Sequence, residues 1–129
     1  MKNILIIDDS AFMRNILKEL LTNAVAENIL SEPLTLYEAD GKTNALKEMI
    51  KAKPDIMLVD IVMKESETEG IEFVNAIKDK FSMKKIIIIS SIGQSAIWDE
   101  CKRLGILHYL QKPFEKNEVI SVMNEVLKI

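Results

Sequence analysis

Short runs of consecutive apolar residues alternate along this chain with longer stretches in which apolar positions recur every three or four residues. The first run, Ile4 to Ile7, is continuous and stops at Asp8-Asp9, the pattern of a strand buried on both faces. From Ser10, a suitable N-cap, the pairs Phe12/Met13, Ile16/Leu17 and Leu20/Leu21 predict a helix with one apolar face running to about Ala24. Pro33 interrupts, Leu34 to Ala39 predicts a second strand, and Asp40-Gly41 turns the chain into a helix carrying Ala45, Leu46, Met49 and Ile50. Pro54 precedes a third buried run, Ile56 to Val59, which stops at Asp60. A long polar stretch, Lys64 to Glu69, then leads into a helix bearing Ile71, Phe73, Val74 and Ile77. Ile86 to Ile89 predicts a fourth strand ending in Ser90-Ser91, followed by a helix from about Gln94 to Leu104 that Gly105 closes as its C′ residue. Leu107 to Leu110 predicts the fifth strand. After Lys112-Pro113-Phe114 the last helix carries Val119, Ile120, Met123, Val126 and Leu127.

Strict alternation of short apolar strands with amphipathic helices implies a parallel sheet covered on both faces, a doubly wound α/β fold of five strands and five helices. The 129 residues suit one domain, 1–129, with an ordinary core and no room for an output domain. A hydrophobic fraction of 48% beside 29% charged residues excludes a disordered chain. No apolar run approaches the roughly 20 residues of a membrane span, and Met1-Lys2 leads into a strand rather than a signal peptide, so a cytoplasmic location is expected. The net charge of −3 and the scattered Lys and Arg argue against nucleic-acid binding. Cys101 is the single cysteine, which rules out an internal disulfide and leaves an inert, buried thiol as the expectation.

In an open α/β sheet the ligand site lies outside the carboxyl ends of the strands. Here those ends carry Asp8-Asp9, Asp60 and Ser90, with Lys112 in the turn after the fifth strand. Carboxylates brought together repel, so they must share protons or bind a cation, and an all-oxygen set without His or Cys favours Mg²⁺ over zinc. A single Asp at a strand end is as well explained as a cap for the next helix. Four strand ends presenting such groups together are not. One carboxylate could then attack a phosphoryl donor, with Lys112 adding fixed positive charge and Ser90 a hydrogen bond to the new phosphate.

The ordered set Ile4-Leu5-Ile6-Ile7-Asp8-Asp9-Ser10 with Arg14, Met57-Leu58-Val59-Asp60, Ile89-Ser90-Ser91, and Tyr109 before Lys112-Pro113-Phe114 resembles the response-regulator receiver family. Within that family it is most similar to single-domain CheY-like chemotaxis regulators, and the similarity spans essentially the whole chain. The resemblance implies strand order 2-1-3-4-5, as in flavodoxin-like folds. It makes Asp60 the phosphoacceptor, with Asp8, Asp9, Asp60 and the backbone carbonyl of Val62 around Mg²⁺, Asp8 acting largely through water. Ser90 becomes the switch hydroxyl, Lys112 the contact to the phosphoryl group, and Tyr109 a switch aromatic moving between outward and inward rotamers. The implied partners are a cognate histidine kinase and, in chemotaxis, a flagellar motor switch protein and a phosphatase. A monomer that is not a turnover enzyme is expected.

The loop Lys64 to Glu69 departs from the family's pattern: it is longer, and Lys64 stands where a proline usually follows Met63. Its charges read as a solvated loop rather than a second cation site formed by Glu65, Glu67 and Glu69. Val62 and Ile92 stand where some relatives carry polar side chains that help position an attacking water, so slow loss of phosphate is expected. Trp98 lies on the helix that many receivers present to partners, where aromatics act as anchors, although core packing explains it equally well. His108 reads as structural, and the methionines as core filling.

Other functions are weaker fits. A flavodoxin-like cofactor binder would need a phosphate-cradling loop after the first strand, where this chain has two carboxylates. An aspartate-nucleophile phosphohydrolase wants a second acid close to Asp60, and Ile61-Val62 supply none. An unphosphorylated scaffold has no use for the full polar set. A phosphorelay shuttle or phosphate sink competes with chemotaxis within the favoured reading.

Overall fold

The computed structural model describes residues 1–63, 68–91 and 95–129. The elements alternate as β1 (Lys2–Ile7), α1 (Ala11–Ala26), β2 (Leu34–Ala39), α2 (Lys42–Ala52), β3 (Ile56–Asp60), α3 (Glu69–Ile77), β4 (Ile86–Ser91), α4 (Ser95–Arg103), β5 (His108–Lys112) and α5 (Lys116–Leu127). A single 3₁₀ turn at Met83–Lys85, which the apolar pattern did not predict, precedes β4. All strand pairs are parallel and their order is β2-β1-β3-β4-β5, as the family resemblance implied.

The continuous apolar runs follow from this order. Alternate side chains of a strand point to opposite faces, so a central strand covered on both sides must be apolar at every position. Ile4, Ile6, Leu58, Ile87 and Ile89 pack with Leu17, Leu21 and Ala24 of α1 and with Val119, Met123 and Val126 of α5. Leu5, Ile7, Met57, Val59, Ile86 and Ile88 face the other way, onto Ala45, Phe73, Val74, Ile77 and Cys101. The outer strands β2 and β5 are only partly buried.

Local signals start α1 and close α4 at the cap residues expected from the sequence. Ser10 Oγ accepts from the Met13 N–H at 3.2 Å, so Ser10 is the N-cap of α1. Ser10→Ala is expected to cost about 1 kcal/mol of stability in a denaturant melt, without loss of the neighbouring Asp8 contact, which uses the Ser10 backbone. At the far end of α4, Gly105 adopts φ +101°, its N–H donates to the Lys102 carbonyl at 3.0 Å, and the Ile106 N–H donates to Cys101 at 3.2 Å. That is the Schellman arrangement, for which a left-handed C′ residue favours glycine.

Several expected core positions are corrected. Phe12 is 73% exposed and Ile16 36%, because neighbouring residues on a helix lie about 100° apart and the stripe that meets the sheet is Leu17, Leu21 and Ala24. Ile50 is 78% exposed for the same reason, Ala45 and Ala52 being the buried positions of α2. The fifth strand starts at His108 rather than Leu107, which is 62% exposed: the C-terminal turn of α4 buries Ile106 instead. α1 also runs two residues beyond Ala24, to Ala26. Gln94 lies outside the described residues.

Candidate functional site

The chain reverses its direction of winding between β1 and β3, and the carboxyl ends of these strands frame the crevice typical of such a switch point. Asp8 and Asp60 are buried there and Asp9 is half-buried. One carboxylate oxygen from each lies within 4.8 Å of the others. Lys112, arriving from the end of β5, places Nζ 3.4 Å from Asp8 Oδ2 and 3.3 Å from Asp60 Oδ2.

Local contacts hold these groups. The Ser10 N–H donates to Asp8 Oδ1 at 2.9 Å. Arg14, one helical turn further on, donates through Nη1 to the Asp8 carbonyl and through Nε to Glu38 Oε1 at 2.8 Å. Lys18 and Arg14 together hold the Glu38 carboxyl below its usual range by hydrogen bonding. Arg14 thus bolts the first turn of α1 to the ends of β1 and β2, a role its match to the family pattern did not specify.

Burial, and then the Asp8 charge, push the Asp60 carboxyl up to about 7, against the opposing pull of Lys112 and of a backbone hydrogen bond from Val62. One ammonium cannot balance three carboxylates in so little space. The donor set is all oxygen, close enough to share one hard cation, and this fits Mg²⁺.

Ser90 provides a second sign of an incoming group. Asp60 pairs with Ile89 across β3 and β4, and the Ile61 N–H donates to the Ile89 carbonyl at 2.9 Å, so Ser90 follows immediately beside the acceptor strand's end. Its Oγ is buried and has no hydrogen-bond partner among the described residues. A buried hydroxyl in that condition is costly unless an oxygen from elsewhere completes it.

Tyr109, on β5, stacks on Trp98 of α4 with ring centroids 4.8 Å apart and planes at 27°. Its hydroxyl reaches outward to Gln111 Oε1 at 3.3 Å, and Lys102 Nζ lies 5.8 Å from the Trp98 ring. Trp98 is therefore half-buried, packing at the margin of the core while still reaching the surface. His108 stands apart from the site, its Nδ1 3.6 Å from Glu125 Oε2. Cys101 is buried and its thiol is pushed up to about 11 by desolvation, in keeping with an inert residue.

Two residues that matter were not singled out for this by the sequence. The charge pattern groups Glu69 with the solvated loop, but its Oε2 accepts the Lys42 N–H at 2.9 Å. A Cβ on Gly70 would lie 2.5 Å from the Ile61 carbonyl oxygen and 2.7 Å from that of Asp60, so α3 starts directly against the backbone of the acceptor strand's end. An acid followed by glycine at a helix start was the available signal. Lys64, Glu65, Glu67 and Ile92 lie outside the described residues.

Residues 4–124 match the response regulator receiver domain family, and the chain belongs to it. It is a phosphoacceptor signalling domain of two-component systems, which work with histidine kinases, and not a turnover enzyme. It is 35% identical to the chemotaxis protein CheY of Thermotoga maritima over 98% of each chain. To CheY of Halobacterium salinarum it is 34% identical, over 98% of this chain and 97% of that one. A response regulator receiver domain protein from Clostridium thermocellum superimposes with a TM-score of 0.83 over 99% of this chain and 95% of that one, at 20% identity. Among the described residues no helix is long and apolar enough to cross a membrane.

Proposed function

We propose that Asp60 accepts a phosphoryl group from a phosphohistidine on a cognate kinase, and that the chain acts as a stand-alone receiver in chemotaxis. The observation that carries this is the cluster of Asp8, Asp9 and Asp60 oxygens within 4.8 Å, with Lys112 bridging Asp8 and Asp60. In the transfer an Asp60 carboxylate oxygen bonds to phosphorus while the phosphorus–nitrogen bond of the donor breaks, its electron pair returning to the imidazole. Asp8, Asp9, Asp60 and the Val62 carbonyl would hold Mg²⁺, which supplies charge neutralisation for the phosphoryl oxygens. Lys112 orients the acceptor before transfer and pairs with the phosphoryl group after it. The Ser90 hydroxyl, without a partner among the described residues, donates to a phosphoryl oxygen, and its movement frees space into which Tyr109 turns from its outward stack on Trp98.

The surface that Tyr109 and Trp98 share then binds the output partner, which on the chemotaxis reading is a flagellar motor switch protein, with a phosphatase resetting the signal; the two chemotaxis relatives favour that reading. Their coverage over nearly their whole length supports a receiver that signals through its own surface. The test is intact mass after incubation with a small phosphodonor. A single added phosphoryl group is expected in the wild type, dependent on Mg²⁺ and absent in Asp60→Asn; addition that survives in Asp60→Asn would place the acceptor elsewhere.

A further inference from the structure

The start of α3 is held by two contacts that the phosphoacceptor chemistry does not itself use. Gly70 seats the first turn of α3 on the backbone of Asp60 and Ile61, with no room for even a methyl group. Glu69, next to it, sends its carboxylate across to the N-terminus of α2, where the Lys42 N–H donates to Oε2 at 2.9 Å. The N-cap of α2 is Gly41, which makes no side-chain cap, so Glu69 supplies from another element the acceptor this helix start lacks. The missing side chain also leaves the room Glu69 occupies, since a Cβ on Gly41 would stand 2.8 Å from Oε2. The concavity beside this contact is lined by Asp9 together with Asp40, Gly41, Lys42 and Glu69, so the bridge and one carboxylate of the cluster share a wall.

We propose that Glu69 is a positioning residue for the metal site: by fastening the start of α3 to α2, it holds Gly70 against the Asp60–Ile61 backbone, and so fixes that backbone and the adjoining Val62 relative to Asp9. The inference rests on the reading of Asp8, Asp9, Asp60 and Val62 as the Mg²⁺ site. It assigns a task to the one acidic residue of the lengthened loop that the structure describes. The carboxylate acts as a hydrogen-bond acceptor here rather than as a ligand, so glutamine retains the function and alanine loses it.

The test is calorimetric titration of the folded full chain with Mg²⁺ alone, run beside thermal melting and beside the Mg²⁺ dependence of phosphorylation by a small phosphodonor. Glu69→Ala is expected to weaken Mg²⁺ binding about tenfold, the range seen when groups that orient metal ligands are removed, and Glu69→Gln to restore it. Lys47→Gly weakens α2 at an exposed position without touching the bridge and should leave Mg²⁺ affinity at the wild-type level. Unchanged affinity in Glu69→Ala, or an equal loss in Lys47→Gly, overturns the inference and reduces Glu69 to a helix cap. Normal Mg²⁺ binding and the Glu69→Ala loss, without phosphorylation of the wild type, would sink the phosphoacceptor reading alone. Failure of the wild type to bind Mg²⁺ would sink both.

Discussion

In metal-free buffer above pH 7, Asp60→Asn is expected to melt at a higher temperature than the wild type while accepting no phosphoryl group. The Asp60 carboxyl sits near 7 in the folded protein against 3.8 for the ordinary group, because burial and Asp8 penalise its charge. A folded-state value above the unfolded one means that the folded protein binds the proton more tightly, so stability falls as pH rises between the two values. Below pH 4 both states are protonated and the group costs nothing. Above pH 7 the full penalty is present, on the order of 2–4 kcal/mol. Asparagine removes the charge and nearly keeps the shape, so the gap between variant and wild type should open from pH 4 to 7 and then level off. Mg²⁺, which binds the ionised site, should close it by stabilising the wild type selectively. A gap that does not change with pH would show that the shared proton resides on another carboxyl.

Gly70→Ala is expected to lose about 3 kcal/mol in a urea melt, at the upper end of the cost of overpacking a filled site, and to accept phosphate poorly. Two effects oppose each other. Alanine inside a helix is ordinarily favoured over glycine by about 1 kcal/mol. Against this, the new methyl group would meet the Ile61 oxygen at 2.5 Å, the Ile61 Cα at 2.6 Å and the Asp60 oxygen at 2.7 Å. All three are backbone atoms of the segment that carries the acceptor, so none can rotate aside as a side chain would. The clash must push α3 away or displace Asp60, and stability and acceptor geometry fail together. A variant as stable as the wild type would mean that this contact is looser than the structure shows.

Apolar runs mark the strands well because each central strand is covered on both faces, a condition every residue in it must satisfy. β2 came out at Leu34–Ala39 as read, although an edge strand carries the weaker signal, because Pro33 and Asp40-Gly41 bracket it. The helix faces were less legible. Phe12, Ile16 and Ile50 obey the helical spacing yet face solvent, since periodicity defines a stripe only to within a residue and packing decides its centre. The apolar pattern puts Leu107 in the strand because two apolar residues follow Gly105, and only the turn at the end of α4 selects Ile106 for burial. Glu69 looked like any solvated acid, since nothing near it in sequence reveals the start of α2, 27 residues away.

By itself the sequence determined the alternating α/β class, the caps at Ser10 and Gly105, and the polar residues at four strand ends, all of which depend on neighbours along the chain. Only the tertiary structure decided which carboxyl carries the raised affinity for a proton, that Lys112 spans Asp8 and Asp60, that the buried Ser90 hydroxyl has no partner among the described residues, and that Glu69 braces α2. These depend on distance and exclusion of water between residues far apart in sequence. A charge buried among others is costly or useful only when the chain has brought its neighbours within a few ångströms.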